Sequence, residues 1–445
     1  MISIPADAKT ILEKLNNAGF EAYVVGGCVR DSILGRAPGD WDICTNALPE
    51  QTMQVFESFH VIPTGLQHGT VTVMINNNGY EITTYRIDGS DSDGRHPDSV
   101  SFTGNLKEDL ARRDFTVNAM AYSEKDGIMD FYGGMNDLKN GIIRCVGNPH
   151  QRFTEDALRI MRAVRFAAVL GFEIEENTAN AMKELNKNLD LVANERINVE
   201  FNKMLGSNNP ARFLDEYDYL FFHIIPELVP MKGFEQNNPY HIYDVWHHTL
   251  EVVKNIVSDD AVLRLAALLH DSGKPHVYTE ADGVGHFYGH AEKSAEIAGK
   301  VMKRLKYSNE QISEVLTLVK YHDTPIVPTK KFVRRMLSKM ERATFEKLLN
   351  LSYADIMGQS GKNRAERLEN ISEVRKILAE FDAENECFSL KQMKISGDDL
   401  IKMGVKQGRQ IGEILNTLFA LVLDEKLENE EKVLEDYVVK NYLQE

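Results

Sequence analysis

The segment Tyr23–Cys44, "YVVGGCVRDSILGRAPGDWDIC", limits the possible folds most, because it places two glycines, a Val-Arg-Asp helix start and an Asp-x-Asp pair within 22 residues. The runs "FEAYVV" and "WDICT" at its ends carry β-branched and aromatic residues, so the pattern reads as strand, glycine turn, short helix, strand. Side chains alternate along a strand, which puts Asp40 and Asp42 on one face and Trp41 on the other. Two carboxylates about 6–7 Å apart repel each other unless a cation lies between them, and hard divalent ions such as Mg2+ suit that arrangement. Glu81, in "GYEITTYR", is the candidate for the third carboxylate of a two-metal phosphoryl-transfer site. Gly26 and Gly27 have no β-carbon to block a triphosphate, and the helix start behind them favours anions.

Strand-like runs continue to about residue 148, in "TVTVMIN", "YEITTYR", "VNAMAYS" and "IIRCV". Helical periodicity takes over from "HQRFTEDALRIMRAVRF" onward, so the chain reads as an α/β head followed by an all-α remainder. The Gly-, Ser- and Asp-rich run at 86–102, "RIDGSDSDGRHPDSVSF", predicts a long loop of a kind that often gates a site. "GFEQNNPYHIYD" at 233–244 reads as a linker between helical parts, and "GQSGKNR" at 358–364 as a further break.

A chain of 445 residues exceeds one typical domain. No apolar run approaches the roughly 18 residues of a membrane span, and "MISIPADAKTILEKL" lacks the features of a signal peptide, so a cytoplasmic protein with no membrane partner is expected. Cys28, Cys44, Cys145 and Cys387 show no C-x-x-C spacing, which argues against a zinc ribbon or disulfide framework. A net charge of −16 argues against charge-driven binding of long nucleic acid, but a local basic patch can still grip a structured one. "TKKFVRRMLSK" at 329–339 is such a patch, or an ordinary solvated helix face.

Two further stretches carry chemistry. In "LARRDFTVNAMAY", Arg112, Arg113 and Asp114 are expected to close a helix and Asn118 to open a strand, with the arginines either solvated or neutralising phosphate. In "FTEDALRIMRAVRF", Glu155 and Asp156 fit the first turn of a long helix as partners of its dipole. Alternatively, Asp156 and Arg159, three residues apart on one helix face, can present an acceptor and a fork of donors to the Watson–Crick edge of a base.

The ordered motifs "GGCVRDSILGRAPGDWD", "RRDFTVNA", "GGMNDLKNGIIRCVG", "EDALRIMRAVRF" and "ERINVEF" resemble those of class II tRNA nucleotidyltransferases, a family of the polymerase-β-like superfamily that includes bacterial poly(A) polymerases. The resemblance implies a polymerase-β-like head in which Asp40 and Asp42 hold catalytic Mg2+, with Glu81 as third carboxylate. It also implies nucleotide binding by Gly26, Gly27, Arg30, Arg112, Asp114, Asn118, Asp156, Arg159, Arg162 and Arg165. Asp156 and Arg159 would then be a protein template that selects CTP and ATP for addition to a tRNA 3′ end. CCA, CC-only, A-only and poly(A) addition all fit these motifs.

A second constellation, "YHIYDVWHHTLEVV", "RLAALLHDSGKP", "GHFYGHAEKSAE" and "LVKYHD", resembles the HD metal-dependent phosphohydrolase domain over about residues 240–325. That resemblance implies a divalent or transition metal held by His248, His270, Asp271, His290, His322 and Asp323, with Lys274 near a phosphate. His247 and His286 are either further ligands or surface residues. A chain acting mainly as an HD phosphohydrolase is thus the alternative from another class. The tail resembles the C-terminal region of HD-containing CCA-adding enzymes and implies contact with the tRNA body. The expected division is a nucleotidyltransferase head at 1–148, a helical neck at 149–235, an HD domain at 236–357 and a helical tail at 358–445.

Overall fold

The computed structural model describes residues 2–88, 100–384, 390–424 and 426–443. The chain forms two compact units, Met1–Pro226 and Glu227–Glu445. Residues 89–99, most of the expected loop, lie outside the described residues. Its flanks, Arg86–Asp88 and Val100–Phe102, pair as a short antiparallel ladder.

The first unit is built on a mixed sheet. In spatial order, its strands are His60–Gly65, Thr70–Ile75, Asn78–Thr84, Ile43–Thr45, Ala22–Val25, Met120–Ser123 and Gly127–Asp130. Ala22–Val25 and Ile43–Thr45 consist largely of β-branched and apolar residues and are buried throughout, as central strands covered on both faces are. Ile43 pairs with Ile82 in parallel and Val24 with Ile43 antiparallel, which sets Ile43–Thr45 between Asn78–Thr84 and Ala22–Val25. One side of the sheet buries Tyr23, Val25, Cys44, Tyr85, Leu106, Leu110 and Ala121, each large side chain contributing about 1.5–3 kcal/mol. Gly26 leaves the sheet at φ +82°, a left-handed conformation costly for other residues, and caps the helix Gly27–Ile33.

The long helix expected from "FTEDALRIMRAVRF" is broken. Pro149–Glu155 is one helix and Leu158–Leu170 another, and Asp156 between them is extended at φ −145°, ψ 103°. Leu158–Leu170 packs its buried apolar face against Asn194–Leu205. Asn118 ends a short 3-10 turn, Thr116–Asn118, instead of opening a strand.

The second unit is mainly helical. Val245–Asn255, Ala261–Leu269, His290–Arg304, Asn309–Tyr321 and Arg342–Gly358 pack together, and the hairpin Thr279–Ala281 with Val284–His286 departs from an all-helical reading. Residues 233–244 do not form a free linker, because Gln236 is buried and hydrogen-bonds Lys274. Gly397–Lys402, Arg409–Leu423 and Glu431–Val438 enclose a core of their own around Leu400, Leu418 and Leu434. Cations of the basic helix Lys330–Leu337 are engaged within the chain: Lys331 and Arg335 meet Asp424, and Arg334 lies over Phe381.

Gly273 sits at a close approach of backbones in the second unit. A β-carbon there would stand 2.6 Å from both the His290 carbonyl and the Ser294 amide, backbone atoms that cannot step aside. Gly273→Ala is therefore expected to destabilise this unit by roughly 1–3 kcal/mol through overpacking. Thermal unfolding followed by circular dichroism should show the loss, and an unchanged midpoint would refute it.

Candidate functional sites

In the head, Asp40 and Asp42 precede the strand Ile43–Thr45 instead of lying in it, on an extended approach where the Val25 amide donates to the Asp42 carbonyl at 3.0 Å. The parallel register of Ile43 with Ile82 brings Glu81 alongside. Burial pushes the Asp42 carboxyl up to about 6; Asp40 and Glu81 push the same way, while Arg113 opposes them. A buried carboxylate crowded by two others sits in a set that a cation would relieve.

The arginine nearest this set is Arg113. Its Nη1 lies 2.9 Å from where a Gly26 β-carbon would stand, so a side chain there would displace this guanidinium, while the φ of +82° is what calls for glycine. Arg112, the residue expected at the site, is engaged instead by buried Asp109, with Nε 3.0 Å and Nη2 2.9 Å from Oδ1. Sequence reasoning could not separate two neighbouring arginines that leave a helix end in different directions.

From there a polar chain crosses the unit. Arg30 Nη1 donates to Asn118 Oδ1 at 2.5 Å, and Asn118 Nδ2 donates to Asp114 Oδ1 at 3.2 Å. Asp114 Oδ2 accepts from Arg162 Nε and Nη2 at 2.8 and 2.6 Å. Against the cost of burial, the Arg162 charge and hydrogen bonds hold the Asp114 carboxyl down at about 2. Arg165 Nε donates to Glu200 Oε2 at 2.7 Å, and the guanidinium groups of Arg30, Arg162 and Arg165 lie 5.1, 5.3 and 3.6 Å from the centre of the Phe166 ring. This arginine-lined wall fits an anionic, planar ligand.

Asp156 and Arg159 are held separately, not as a pair. Asp156 Oδ1 caps the second helix by accepting from the Leu158 amide at 3.1 Å, and Oδ2 accepts from Arg196 Nη2 at 3.0 Å. Arg159 donates to Glu155 Oε2 and to the carbonyls of Arg152 and Arg112, at 2.9, 3.1 and 3.0 Å. Arg196 and Glu200 both come from "ERINVEF", a motif quoted for its resemblance but given no role from its residues.

The second unit holds a buried imidazole–carboxylate cluster. His248, His270 and Asp271 form one group able to hold a metal ion, and Asp271, His290 and His322 form another. Each Nδ1 lies against a backbone carbonyl: Gly358 at 3.3 Å from His248, Ala267 at 2.6 Å from His270, Phe287 at 2.8 Å from His290 and Val319 at 2.6 Å from His322. A carbonyl only accepts, so Nδ1 carries the proton and Nε2 of the neutral ring presents a lone pair. His290 and His322 bring these lone pairs to 3.2 Å, and buried Nε2 of His248 and of His270 find no hydrogen-bond partner. Asp271 Oδ2 lies 3.4 and 3.2 Å from His248 and His270, while Oδ1 lies 3.5 Å from both His290 and His322.

Asp323 is exposed and belongs to neither group, although it lines the same cavity as Asp271, His290 and His322. Asp355, which the sequence did not single out, stands 3.0 Å from His248 Nε2. It is a lone acid in an otherwise ordinary helix, "NLSYADIM", so only the fold could find it. Lys274 Nζ is 2.7 Å from Asp271, and a cavity of about 720 Å³ opens onto the cluster, lined also by His286, Tyr288 and Arg367. His247 lies on the surface, where its backbone amide and its Nδ1 both stand 2.7 Å from Oδ1 of Asp244, the N-cap of its helix.

A family model described as the poly A polymerase head domain matches residues 22–144. One for an RNA and SrmB-binding site of polymerase A matches 171–231, and one for tRNA nucleotidyltransferase domain 2 matches 278–438. The CCA-adding enzyme of Ligilactobacillus salivarius is 36% identical, covering 97% of each chain. That of Pediococcus pentosaceus is 32% identical, over 98% of this chain and 97% of its own. Among solved structures, the Bacillus stearothermophilus CCA-adding enzyme in complex with CTP superposes with a TM-score of 0.69 at 28% identity, over 97% of this chain and 96% of its own.

The Asp114 hub has a pH signature. Its carboxyl sits near 2 when folded and near 3.8 as a free side chain, so it contributes about 2 kcal/mol that is present above pH ~4 and lost as pH falls toward ~2. Asp114→Asn should lower stability near neutrality and flatten the acid limb of the stability curve. Parallel wild-type and variant curves through that window would contradict the assignment.

Proposed function

This chain belongs to the CCA-adding enzymes, the tRNA nucleotidyltransferases, and from that premise we propose how its residues add or repair the 3′-terminal CCA of tRNA from CTP and ATP. Full-length likeness to CCA-adding enzymes favours complete CCA addition over the CC-only, A-only and poly(A) alternatives. The observation that carries the reading is the convergence, within one unit, of Asp40, Asp42 and Glu81 with the arginine wall and the Asp156–Arg159 segment.

Asp40 and Asp42, with Glu81 beside them, would hold Mg2+, a fit supported by the mutual repulsion that raises Asp42. When bound, the ions neutralise phosphate charge and activate the ribose 3′-hydroxyl. Gly26 and Gly27 leave room for the triphosphate, and Arg113 and Arg30 supply positive charge beside it. Arg112, Asp114 and Asn118 shape the pocket for the sugar, with Arg112 acting through Asp109. Arg162 and Arg165 line the base and phosphate side. The Asp156 carboxylate accepts from the amino group shared by cytosine and adenine, Arg159 donates to ring or carbonyl acceptors, and uracil and guanine present the wrong groups. For such partners we propose the cytoplasm as the compartment.

For the second unit we propose a divalent or transition metal held by His248, His270, Asp271, His290, His322 and Asp355, the unpartnered Nε2 atoms being the fit that supports it. A metal there supplies Lewis-acid chemistry for phosphoester hydrolysis. Lys274 and Arg367 are placed for an anionic group, and the cavity admits a nucleotide-sized one. The division into head, neck, metal-binding and tail parts at 148, 235 and 357 is retained as the working layout.

Asp40→Ala or Asp42→Ala should cut nucleotide addition by about 1,000-fold or more, the scale of losing several kcal/mol of charge stabilisation. Purified variants would be assayed on tRNA transcripts lacking one, two or all three terminal nucleotides, with tRNA binding retained. Turnover within tenfold of wild type would remove the catalytic assignment. Asp271→Asn should abolish metal content and phosphoester hydrolysis by the second unit and spare CCA addition. Wild-type protein free of bound metal by mass spectrometry, after growth in supplemented medium, would refute the metal reading.

A further inference from the structure

We propose that Arg196 is a specificity-determining positioning residue: it fixes the plane of the Asp156 carboxylate, and thereby the choice of C and A over U and G. The inference rests on the reading of Asp156 as the acceptor for the base. It begins from the break in the helix. An acid inside a helix would have its backbone fixed by the helix, but Asp156 is extended, and its side chain must be held by other means. Two contacts do this, one on each oxygen: the Leu158 amide on Oδ1 at 3.1 Å and Arg196 Nη2 on Oδ2 at 3.0 Å.

Arg196 is an unusual choice for its own helix. It lies in the first turn of Asn194–Leu205, where the helix dipole disfavours a cation, so its presence there is better explained by the partner it meets than by its helix. Its Nη1 is buried and has no hydrogen-bond partner, so the guanidinium is committed to this corner of the unit. Glu200, one turn further on the same face, takes Arg165 at 2.7 Å and lies 3.8 Å from Arg162. The helix thus presents a cation and then an anion to an acid and then two arginines on its neighbour, a register that a slide or rotation would break.

The consequence is directional. A carboxylate held on both oxygens keeps its remaining lone pairs aimed one way, so an amino group is accepted only in the correct pose. Released from Arg196, the Asp156 carboxylate can turn about its Cβ–Cγ bond, and wrong bases lose their penalty together with right bases losing their fit. Arg159, clamped independently by Glu155, does not compensate.

The test is steady-state incorporation of CTP, ATP, UTP and GTP on matched tRNA acceptors by the full-length chain. Arg196→Ala should shrink the ratio of kcat/KM for CTP over UTP, and for ATP over GTP, by about 10-fold or more, the scale expected when a reacting geometry slips by a fraction of an ångström. Arg196→Lys should recover part of the ratio. The double variant Asp156→Ala with Arg196→Ala should be no less selective than Asp156→Ala alone, since both act through one carboxylate. If Arg196→Ala fails to fold, Arg196→Gln, which keeps reach and one donor nitrogen, is read the same way. A uniform loss of rate with unchanged ratios, or additive losses in the double variant, would overturn the proposal. If Asp156→Ala itself keeps wild-type ratios, the base-reading assignment fails first; if it loses selectivity and Arg196→Ala does not, only the role of Arg196 falls.

Discussion

A buried carboxylate, Asp114, joins the sheet-built part of the first unit to its helices. It closes a chain of hydrogen bonds that begins at Arg30 behind the glycine turn and ends at Arg162 in the helix Leu158–Leu170. A buried ion is costly unless fully partnered, and here every contact that satisfies it also sets a distance between elements from different parts of the sequence. The carboxylates proposed to hold Mg2+ and the segment proposed to read the base belong to the parts that this hub joins. Phe166, with three guanidinium groups against its ring, is the apolar floor of the same assembly.

Local sequence was informative where chemistry and backbone geometry coincide. Gly26 is called for by its φ of +82°, and Asp40 and Glu81 both act on Asp42, although the aspartates precede their strand. It was less informative where direction depends on tertiary packing. Arg112 and Arg113 are equivalent by pattern, and the buried Asp109 holds Arg112 closely at 2.9 Å and Arg113 only at 3.8 Å. The i, i+3 argument for Asp156 and Arg159 assumed a continuous helix. In the folded chain Asp156 terminates one helix and caps the next, so its side chain answers to Arg196, 40 residues away.

The second unit shows the same division. The His-Asp pair and its neighbouring histidines were visible because they recur after apolar helical runs, and the backbone carbonyls that fix their tautomers come from helix ends whose existence the periodicity foretold. Asp355 was invisible because a single acid in an amphipathic helix carries no local signal; helix packing alone brings it to His248. In the basic helix Lys330–Leu337, which the sequence leaves open between nucleic-acid contact and a solvated face, Lys331 and Arg335 meet Asp424 and Arg334 lies over Phe381.

The shared position of Asp271 also has a meaning for inheritance. Each of its oxygens faces a different pair of imidazoles, so the two ligand groups have one member in common and no substitute for it among the described residues. An aspartate codon becomes an asparagine codon by one nucleotide change, and that change would silence both groups at once while leaving the packing volume almost intact. A descendant lineage could thus shed the metal binding proposed for the second unit in a single step and keep its folded shape.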